Sequence, residues 1–277
     1  MIDLHLHTTA SDGRSTPTDL VRQVRAVGIR TFAVTDHDTV AALEATSAIA
    51  RQEGLAFVPG VEITAVDNGK DVHVLGYFVD FRAPSLLDFL EASRADRLRR
   101  ARLMCETLAQ LGAPLDFGAL LASTGGPNSG QVIARPVVAQ ALVDAGHVRS
   151  VQEAFDKYLA EGQPAYFGRI GASPVDVVRI IRNAGGLASL AHPGPLGRDE
   201  LVEPLVEAGL AAVECFHSEH TAAITAKYLD LARRFDLAVT GGSDFHGVGA
   251  HRSEFLGKVS LPREHFEVFA ARAAGVR

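Results

Sequence analysis

Short apolar runs alternate with longer amphipathic stretches along most of this chain. The apolar runs predict seven strands, at Ile2–His7, Thr31–His37, Phe57–Ile63, Val72–Val79, Leu187–His192, Ala211–His217 and Ala238–His246. The amphipathic stretches predict helices between most of them, at Thr18–Val27, Thr39–Glu53, Pro174–Ala184, Asp199–Ala208 and Thr221–Phe235. Because strand followed by helix, repeated, gives a parallel sheet covered by helices, we expect an α/β fold that closes, or nearly closes, into a (β/α) barrel.

The alternation breaks between about residues 84 and 170. This stretch contains a long polar helical run at Ser85–Leu111, a loop at Ser123–Gly130, and helical runs at Val132–Ala145 and Ser150–Leu159. We therefore predict a barrel domain formed by residues 1–83 and 171–277, with residues 84–170 inserted as a helical subdomain that caps the substrate. Five arginines between Arg94 and Arg102 spread around the first helix, which favours a solvated surface over an RNA track.

The composition of the chain limits the ligands it can bind and the metal sites it can form. The chain has 277 residues, with 27 Lys and Arg against 33 Asp and Glu, so its net charge of −6 argues against a broad surface for duplex DNA but allows a small anionic substrate. Its two cysteines, Cys105 and Cys215, cannot form a disulfide framework or a thiolate zinc cluster. The start of the chain has no signal-peptide pattern and no apolar run is long enough to span a bilayer, so we expect a cytoplasmic protein without a membrane partner. The oligomeric state cannot be inferred from the sequence.

The 11 histidines are concentrated at strand ends. His5 and His7 are two apart on the first strand and so point to the same side. Taken singly, each polar group has an ordinary explanation: Asp12 as a turn residue, Asp38 or Thr39 as a helix cap, His73 as a core histidine. Together, five of the seven predicted strands end in His, Asp or Glu, and the carboxyl ends of barrel strands converge on one face. Without cysteine ligands, such a cluster suits Mn²⁺, Zn²⁺ or Fe²⁺, and nine ligands are enough for two or three ions. The nine are His5, His7, Asp12, His37, Glu62, His73, His192, Asp244 and His246.

In these motifs the chain resembles the polymerase-and-histidinol-phosphatase (PHP) superfamily. The matching segments are His5-Leu6-His7-Thr8, Ser11-Asp12-Gly13, Thr35-Asp36-His37-Asp38, Gly60-Val61-Glu62, His73-Val74-Leu75-Gly76-Tyr77, Ala191-His192-Pro193-Gly194 and Ser243-Asp244-Phe245-His246. The chain is most similar to the small stand-alone phosphoesterases of that group, which include nucleoside 3′,5′-bisphosphate phosphatases and 5′→3′ exoribonucleases that act on short RNA.

The resemblance implies a distorted (β/α)7 barrel, TIM-like in form, with a three-metal site in which Mn²⁺ is favoured over Zn²⁺ or Fe²⁺. It places Glu62 between the first and second metals. By that pattern the first metal takes His5, His7, Glu62 and Asp244, the second takes Glu62, His73 and His192, and the third takes Asp12, His37 and His246.

The resemblance extends to the insertion, at Ala134-Arg135-Pro136 and at Ala154-Phe155-Asp156-Lys157-Tyr158-Leu159. Many relatives have a histidine after the Arg-Pro pair, whereas this chain has Val137, so a role that such a histidine plays in those relatives does not carry over to this position. Arg135 remains a candidate phosphate ligand, since a guanidinium fork matches phosphate oxygens. Arg198 is a weaker candidate of the same kind.

Five of the 11 histidines are not among the proposed ligands. His217 and His220 lie close after a strand end and are candidates for the general acid that protonates the leaving oxygen. His147, His251 and His265 are expected at the surface.

We therefore predict a metal-dependent phosphoric ester hydrolase that uses a metal-bound hydroxide as nucleophile. The preferred substrate is the phosphomonoester of a small nucleotide, above all the 3′-phosphate of a nucleoside 3′,5′-bisphosphate. Four alternatives stay open: a 5′→3′ exoribonuclease on short RNA, a histidinol-phosphate-type phosphatase, a metal-dependent amidohydrolase, and a non-catalytic, metal-stabilised binding domain.

Overall fold

Seven strands form one sheet in which neighbours in sequence are also neighbours in space. The computed structural model describes residues 1–123, 133, 135–168, 171–250 and 252–276. The strands follow one another across the sheet in chain order: β1 (Ile2–Asp3), β2 (Thr31–Val34), β3 (Ala56–Asp67), β4 (Lys70–Tyr77), β5 (Leu187–Leu190), β6 (Ala212–His217) and β7 (Ala238–Gly242).

The first and last strands approach each other, so the sheet nearly closes into a barrel. The backbone N–H of Leu4 donates to the Gly241 carbonyl at 3.1 Å, and Leu6 pairs with Phe245 in an isolated parallel bridge. The predicted barrel is thus confirmed, with β1 and β7 shorter than expected. Several polar groups expected at strand ends, such as His5, His7 and Asp244, lie just beyond those strands.

The parallel arrangement does not extend to β4, which runs antiparallel to both β3 and β5. Asn68 and Gly69 join β3 to β4 with φ angles of 50° and 77°. A two-residue Asn-Gly turn with positive φ is the connection preferred by a tight hairpin, and it leaves no room for a crossover helix. The other neighbouring pairs of strands are parallel.

The helices begin largely where the sequence indicates. Thr16 and Ser173 each cap a helix by accepting a hydrogen bond from the backbone N–H three residues on, with proline at the first helical position. The helices are α1 (Pro17–Ala26), α2 (Leu43–Gln52), α3 (Pro84–Gln110), α4 (Phe117–Ser123), α5 (Arg135–Asp144), α6 (Val151–Ala154), α7 (Pro174–Asn183), α8 (Pro193–Leu196), α9 (Val202–Ala208), α10 (Ala222–Arg234) and α11 (Arg263–Val276). The described residues also form a π-helical turn at Phe155–Leu159 and 3-10 turns at Asp199–Leu201 and Ser253–Phe255.

The chain divides into two compact units. The first comprises Met1–Leu90 and Gly171–Arg277, and the second comprises Glu91–Ile170, so the division falls inside α3. The barrel unit is held by apolar side chains between sheet and helices, among them the fully buried Tyr77 and Phe269, whose rings meet edge to face at 5.4 Å. The helical unit has its own apolar core around Met104, Leu108 and Leu142. Its role as a substrate cap stays a prediction.

Within the described residues, the structure contains no helix long and apolar enough to cross a membrane. The expected loop at Ser123–Gly130 lies outside the described residues apart from Ser123, as do Ala134 and His251.

Candidate metal centre

Glu62 lies at the centre of a group of histidines. Its side chain is 1% exposed, and five imidazole nitrogens lie within 3.3 Å of its two carboxylate oxygens. Oε2 faces His5 Nε2 at 3.1 Å, His7 Nε2 at 3.3 Å and His37 Nδ1 at 3.3 Å. Oε1 faces His73 Nδ1 at 2.9 Å and His192 Nε2 at 3.1 Å.

Asp244 and Asp12 extend this group on either side. Asp244 Oδ1 lies 3.3 Å from His5 Nε2 and 3.1 Å from His7 Nε2. Asp12 Oδ1 lies 3.3 Å from His246 Nε2, and its other oxygen lies 3.8 Å from His37 Nε2. All nine residues predicted as ligands therefore come together in one cluster.

The fold explains how residues so far apart in sequence meet. The ends of the parallel strands lie at one edge of the barrel, and His37 and Glu62 are directly paired there in an isolated parallel bridge. The reversal of β4 brings the beginning of that strand, with His73, to the same edge; His73 O accepts from Ala191 N at 3.1 Å. In a fully parallel barrel, His73 near the start of β4 would lie at the opposite edge from the other ligands. The antiparallel direction of β4 explains why His73 joins the cluster.

Two of these residues have an unusual backbone. His192 has a φ of 27° and Asp244 a φ of 54°, both in the left-handed region that side chains other than glycine rarely adopt. Such conformations persist only where surrounding contacts hold them, and they are concentrated at functional sites.

The donor set fits divalent cations. Both ring nitrogens of His7 are buried, and neither has a hydrogen-bond partner. Nε2 lies 3.3 Å from Glu62 Oε2 and 3.1 Å from Asp244 Oδ1, but neither contact has hydrogen-bond geometry. One carboxylate also cannot satisfy five imidazoles, since its two oxygens offer about four lone-pair sites. Among the described residues, four sets of side chains bring their ligand atoms within 4.8 Å of one another: His5, His7, Glu62 and Asp244; His7, Asp12, His37 and His246; His37, Glu62 and His73; and His5, Glu214 and His217. Nitrogen and carboxylate donors in this geometry can hold borderline divalent ions.

The electrostatics of the cluster favour cations. Burial by itself lowers the pKa of His5, but the carboxylates of Asp244, Glu214 and Glu62 raise it well above its usual value. Burial raises the pKa of Glu62, yet the surrounding histidines hold it well below its usual range. The carboxylates thus stay ionised and attract positive charge, which protons or metal ions can supply.

Three further buried aspartates hold the loops of the site. Asp36 accepts hydrogen bonds from Thr8 N at 2.7 Å and Ser11 Oγ at 2.6 Å. Asp3 accepts from Ser243 Oγ at 2.6 Å. Asp38 accepts from Thr64 N at 2.8 Å.

The expectation that Asp38 or Thr39 caps the next helix is wrong. Helix α2 begins only at Leu43, and Ala42 precedes it without a side-chain cap. Asp38 instead binds Thr64 on β3, because the chain turns there at a φ of 50°.

Two residues near the cluster were missed by the sequence reasoning. Glu214, on β6, is fully buried and contacts His5 Nδ1 at 2.9 Å. Arg252 binds Asp244 Oδ2 through Nη1 and lies 2.8 Å from Glu219 Oε2 through Nη2. A carboxylate inside an apolar strand was the signal that singled out Glu62, and the same signal was present at Glu214. Arg252 carries no such pattern.

The two candidates for the general acid differ in their surroundings. His217 Nε2 lies 3.3 Å from Asp244 Oδ2 and therefore faces the cluster. Both ring nitrogens of His220 contact backbone instead, since Nε2 accepts from Gly194 N at 3.1 Å and Nδ1 lies 2.9 Å from Cys215 O. This pattern needs a neutral ring with hydrogen on Nδ1, and burial lowers the pKa of His220. His220 therefore has no free ring nitrogen for a leaving group.

The two arginines predicted to bind phosphate, Arg198 and Arg135, both contact other side chains of the protein. Arg198 is paired with Asp67 at 2.7 Å and with Glu200 at 2.9 Å, so two carboxylates already engage its guanidinium. Within the helical unit, the Arg135 guanidinium lies 5.0 Å from the centre of the Tyr166 ring.

Two histidines expected at the surface are partly buried. His147 contacts Pro114 O at 2.9 Å, and the His265 ring packs beside Phe216 at 5.8 Å.

Comparison with known proteins places these features in a family. The family model described as PHP domain matches residues 3–167. The chain is 35% identical to the 3′,5′-nucleoside bisphosphate phosphatase of Chromobacterium violaceum over 254 residues, which cover 90% of this chain and 88% of the relative. It is 34% identical to the 5′-3′ exoribonuclease Rnm of Salmonella typhimurium over 252 residues, 88% of this chain and 84% of the relative.

A solved structure shares the fold across the whole length. It is described as that of a candidate metal-dependent phosphoesterase from Bifidobacterium adolescentis, and it matches with a TM-score of 0.85 and 32% identity. The match covers 98% of this chain and 96% of that chain.

Proposed function

This chain belongs to the PHP domain family, and we propose that it is a metal-dependent phosphatase that removes the 3′-phosphate from nucleoside 3′,5′-bisphosphates. Its cofactors are two or three divalent metal ions, with Mn²⁺ favoured and Zn²⁺ or Fe²⁺ as alternatives. Its ligands are the nine residues of the cluster.

The main support for this proposal is the ring of histidines around the Glu62 carboxylate. A fully buried carboxylate with five imidazole nitrogens within 3.3 Å serves no evident packing purpose. Burying charged and polar groups in such numbers is costly unless they are paired or coordinate metals. A set of this size, built only from nitrogen and oxygen donors, supports hydrolytic metal chemistry.

In the proposed reaction each part of the cluster has a distinct task. When bound, divalent ions lower the pKa of water to near neutrality and neutralise charge on the transferred phosphoryl group. Glu62 holds the two sides of the cluster together, because its oxygens face different histidines. Asp12 has a side chain that is half exposed, which leaves its edge of the cluster open to a substrate phosphate.

His217 is the residue of this chain that we assign to the leaving group. Its Nδ1 accepts a hydrogen bond from Glu219 N at 3.2 Å, so the ring hydrogen lies on Nε2, which faces Asp244 Oδ2 at 3.3 Å. We assign phosphate binding to Arg135, whose guanidinium offers a planar fork. Arg198 is a weaker candidate because two carboxylates already engage it.

The choice of substrate is supported by two observations. The relative named as a 3′,5′-nucleoside bisphosphate phosphatase aligns over nine tenths of this chain. A net charge of −6 disfavours long polyanions, whereas a local cluster of cations accepts a small one.

A second candidate is a 5′→3′ exoribonuclease acting on short RNA. It is favoured by the relative of that name, which is 34% identical, almost as similar as the phosphatase. Both activities break a phosphoester bond and can use the same metal centre.

The test is a Mn²⁺-supplemented screen of purified protein against adenosine 3′,5′-bisphosphate, 5′-mononucleotides, histidinol phosphate and short 5′-phosphorylated RNA. We expect release of inorganic phosphate from the bisphosphate, with the 5′-mononucleotide as product. Mononucleotides released stepwise from RNA, without phosphate from the bisphosphate, would favour the exoribonuclease. Ammonia or amine release from an amide panel would favour an amidohydrolase, and bound metal without any turnover would favour a binding domain.

A further inference from the structure

Glu214 contacts two of the proposed ligands at once, from a strand that supplies none of the nine. It lies on β6, between Val213 and Cys215, and is fully buried. Oε1 lies 2.9 Å from His5 Nδ1, and Oε2 accepts a hydrogen bond from the backbone N–H of His192 at 2.7 Å. Burying an ionised carboxylate is unfavourable unless its oxygens are satisfied, and here each oxygen has a partner.

The hydrogen-bond donor and acceptor in each of these two contacts can be assigned. A backbone N–H can only donate, so Oε2 accepts from His192. With one oxygen accepting the His192 N–H and the other facing an imidazole, Glu214 has the surroundings of an ionised carboxylate. An ionised carboxylate only accepts hydrogen bonds, so Nδ1 of His5 must carry the hydrogen.

This hydrogen determines what the other nitrogen of His5 can do. In the neutral ring with hydrogen on Nδ1, Nε2 carries a lone pair. That lone pair points toward Glu62 Oε2 at 3.1 Å and Asp244 Oδ1 at 3.3 Å. Lone pairs facing one another at these distances repel, so either a second ring proton or a metal ion belongs between them.

The contact with His192 stabilises an unfavourable turn. His192 has a φ of 27°, a conformation that residues other than glycine rarely adopt and that persists only where other contacts hold it. The hydrogen bond to Glu214 Oε2 holds the backbone there. The same turn carries the imidazole to within 3.1 Å of Glu62 Oε1.

We propose that Glu214 is a positioning residue for the metal centre: it selects the Nδ1–H tautomer of His5 and holds the His192 turn. One carboxylate thereby prepares a ligand on either side of Glu62. The inference rests on the proposed function, since it requires that the cluster binds metal. It matches the general behaviour of metal-binding histidines, whose second ring nitrogen donates to a carboxylate or carbonyl.

Glu214→Gln separates this role from simple packing, because the amide has nearly the same shape but only one acceptor oxygen. The His192 N–H cannot change its role and takes that oxygen. The amide NH₂ then faces His5 Nδ1, which must become an acceptor, so the hydrogen moves to Nε2 and blocks the metal-binding nitrogen. The opposite placement of the amide would leave the His192 N–H buried without an acceptor.

The experiment compares the full-length wild type with Glu214→Gln in two measurements. Mn²⁺ affinity is measured by calorimetry, and the tautomer of His5 is read from long-range ¹H–¹⁵N spectra of the Zn²⁺-loaded protein, since Zn²⁺ is diamagnetic. We expect Glu214→Gln to weaken Mn²⁺ binding about 10- to 100-fold, and we expect wild-type His5 to carry its hydrogen on Nδ1.

Asp36→Asn is the matched control. Asp36 is likewise buried, but its oxygens accept from Thr8 and Ser11 and not from a proposed ligand. We expect this variant to keep the wild-type tautomer of His5 and to lose less Mn²⁺ affinity than Glu214→Gln.

The outcomes distinguish failure of the proposed function from failure of the role assigned to Glu214. A wild type that binds no divalent ion overturns the proposed function and this inference together. If the wild type binds metal, unchanged affinity in Glu214→Gln overturns only the role of Glu214. Hydrogen on Nε2 of wild-type His5 also overturns it, and that measurement decides the matter even if the variant does not fold.

Discussion

At the residue scale, the site is built around single carboxylates placed among histidines. Glu62 and Glu214 are both buried within apolar strands, and each contacts His5. Their tasks differ because Glu62 faces five imidazoles, whereas Glu214 faces one imidazole and one backbone N–H. On these contacts we assign metal binding to Glu62 and the positioning of ligands to Glu214.

Replacing Glu62 by glutamine removes the charge that both sides of the cluster share. We expect Glu62→Gln to lower the rate of metal-dependent phosphate release by at least about 100-fold, a loss typical for a group that stabilises the transition state electrostatically. The measurement is kcat/KM with saturating Mn²⁺. Glu203→Gln, at an exposed position on α9, is the matched control and should keep wild-type activity. Comparable activity in the two variants would contradict the central place of Glu62.

The sequence predicts individual residues well where they recur in a pattern. The nine proposed ligands stood out because His, Asp and Glu followed one apolar run after another. Arg252 could not be found in this way, because its significance comes from Asp244 and Glu219, which the fold brings to it. The same holds for the tautomer of His5, which depends on a contact with a residue 209 positions away.

At the scale of elements, the site depends on where strands reverse and where they approach closely. The sequence predicts all seven strands because strand formation follows local apolar patterning. It did not yield the direction of β4, although Asn68-Gly69 marks a hairpin turn, because the strand–helix alternation favours parallel neighbours. The antiparallel β4 is what brings His73 to the cluster.

Gly242, at the end of β7, lies close to the backbone that follows β1. A Cβ at this position would lie 2.4 Å from His5 N and 2.5 Å from His5 Cβ, so the backbone at His5 would have to move. We expect Gly242→Ala to destabilise the fold by about 1–3 kcal/mol and to weaken metal binding through the displacement of His5. Urea unfolding measures the first effect and calorimetry with Mn²⁺ measures the second.

Gly275→Ala provides the control for that substitution. A Cβ at Gly275, on α11, would meet no atom within 4 Å. This variant should be unchanged or more stable, by up to about 1 kcal/mol, because alanine favours helix more than glycine. Equal stability of the two alanine variants would contradict the close approach of β1 and β7.

At the scale of the whole molecule, the excess of negative charge is partly explained by the site. The net charge is −6, and three of the nine proposed ligands are carboxylates that bound cations would neutralise. The histidine-rich composition acquires meaning in the same way, since six of the 11 histidines lie in the cluster. Composition alone does not show this, because it says nothing of where residues meet.

The stability of the protein should depend on pH differently with and without metal. Burial by itself lowers the pKa of His7, but nearby carboxylates, those of Asp244 and Glu62 foremost, raise it to about 10 in the metal-free protein. An unfolded imidazole has a pKa of about 6.5. Between these values the folded state holds more protons than the unfolded state, so the stability that His7 contributes falls as pH rises.

Bound metal replaces the extra proton on His7, so the stabilisation that the metal adds to the folded state should grow as pH rises over this range. We expect the difference in Tm between Mn²⁺-loaded and chelator-treated protein to widen as pH rises above about 6.5. Thermal unfolding with and without chelator across this range measures it. A difference that stays constant or narrows would contradict the competition between protons and metal at this cluster.

The most direct test of the proposed phosphatase is the release of inorganic phosphate from adenosine 3′,5′-bisphosphate by protein stripped with chelator and then reloaded with Mn²⁺. The account predicts no release from the stripped protein and restored release on reloading, with the 5′-mononucleotide as the organic product. Equal release by stripped and reloaded protein, or none from protein shown to hold Mn²⁺, would contradict it.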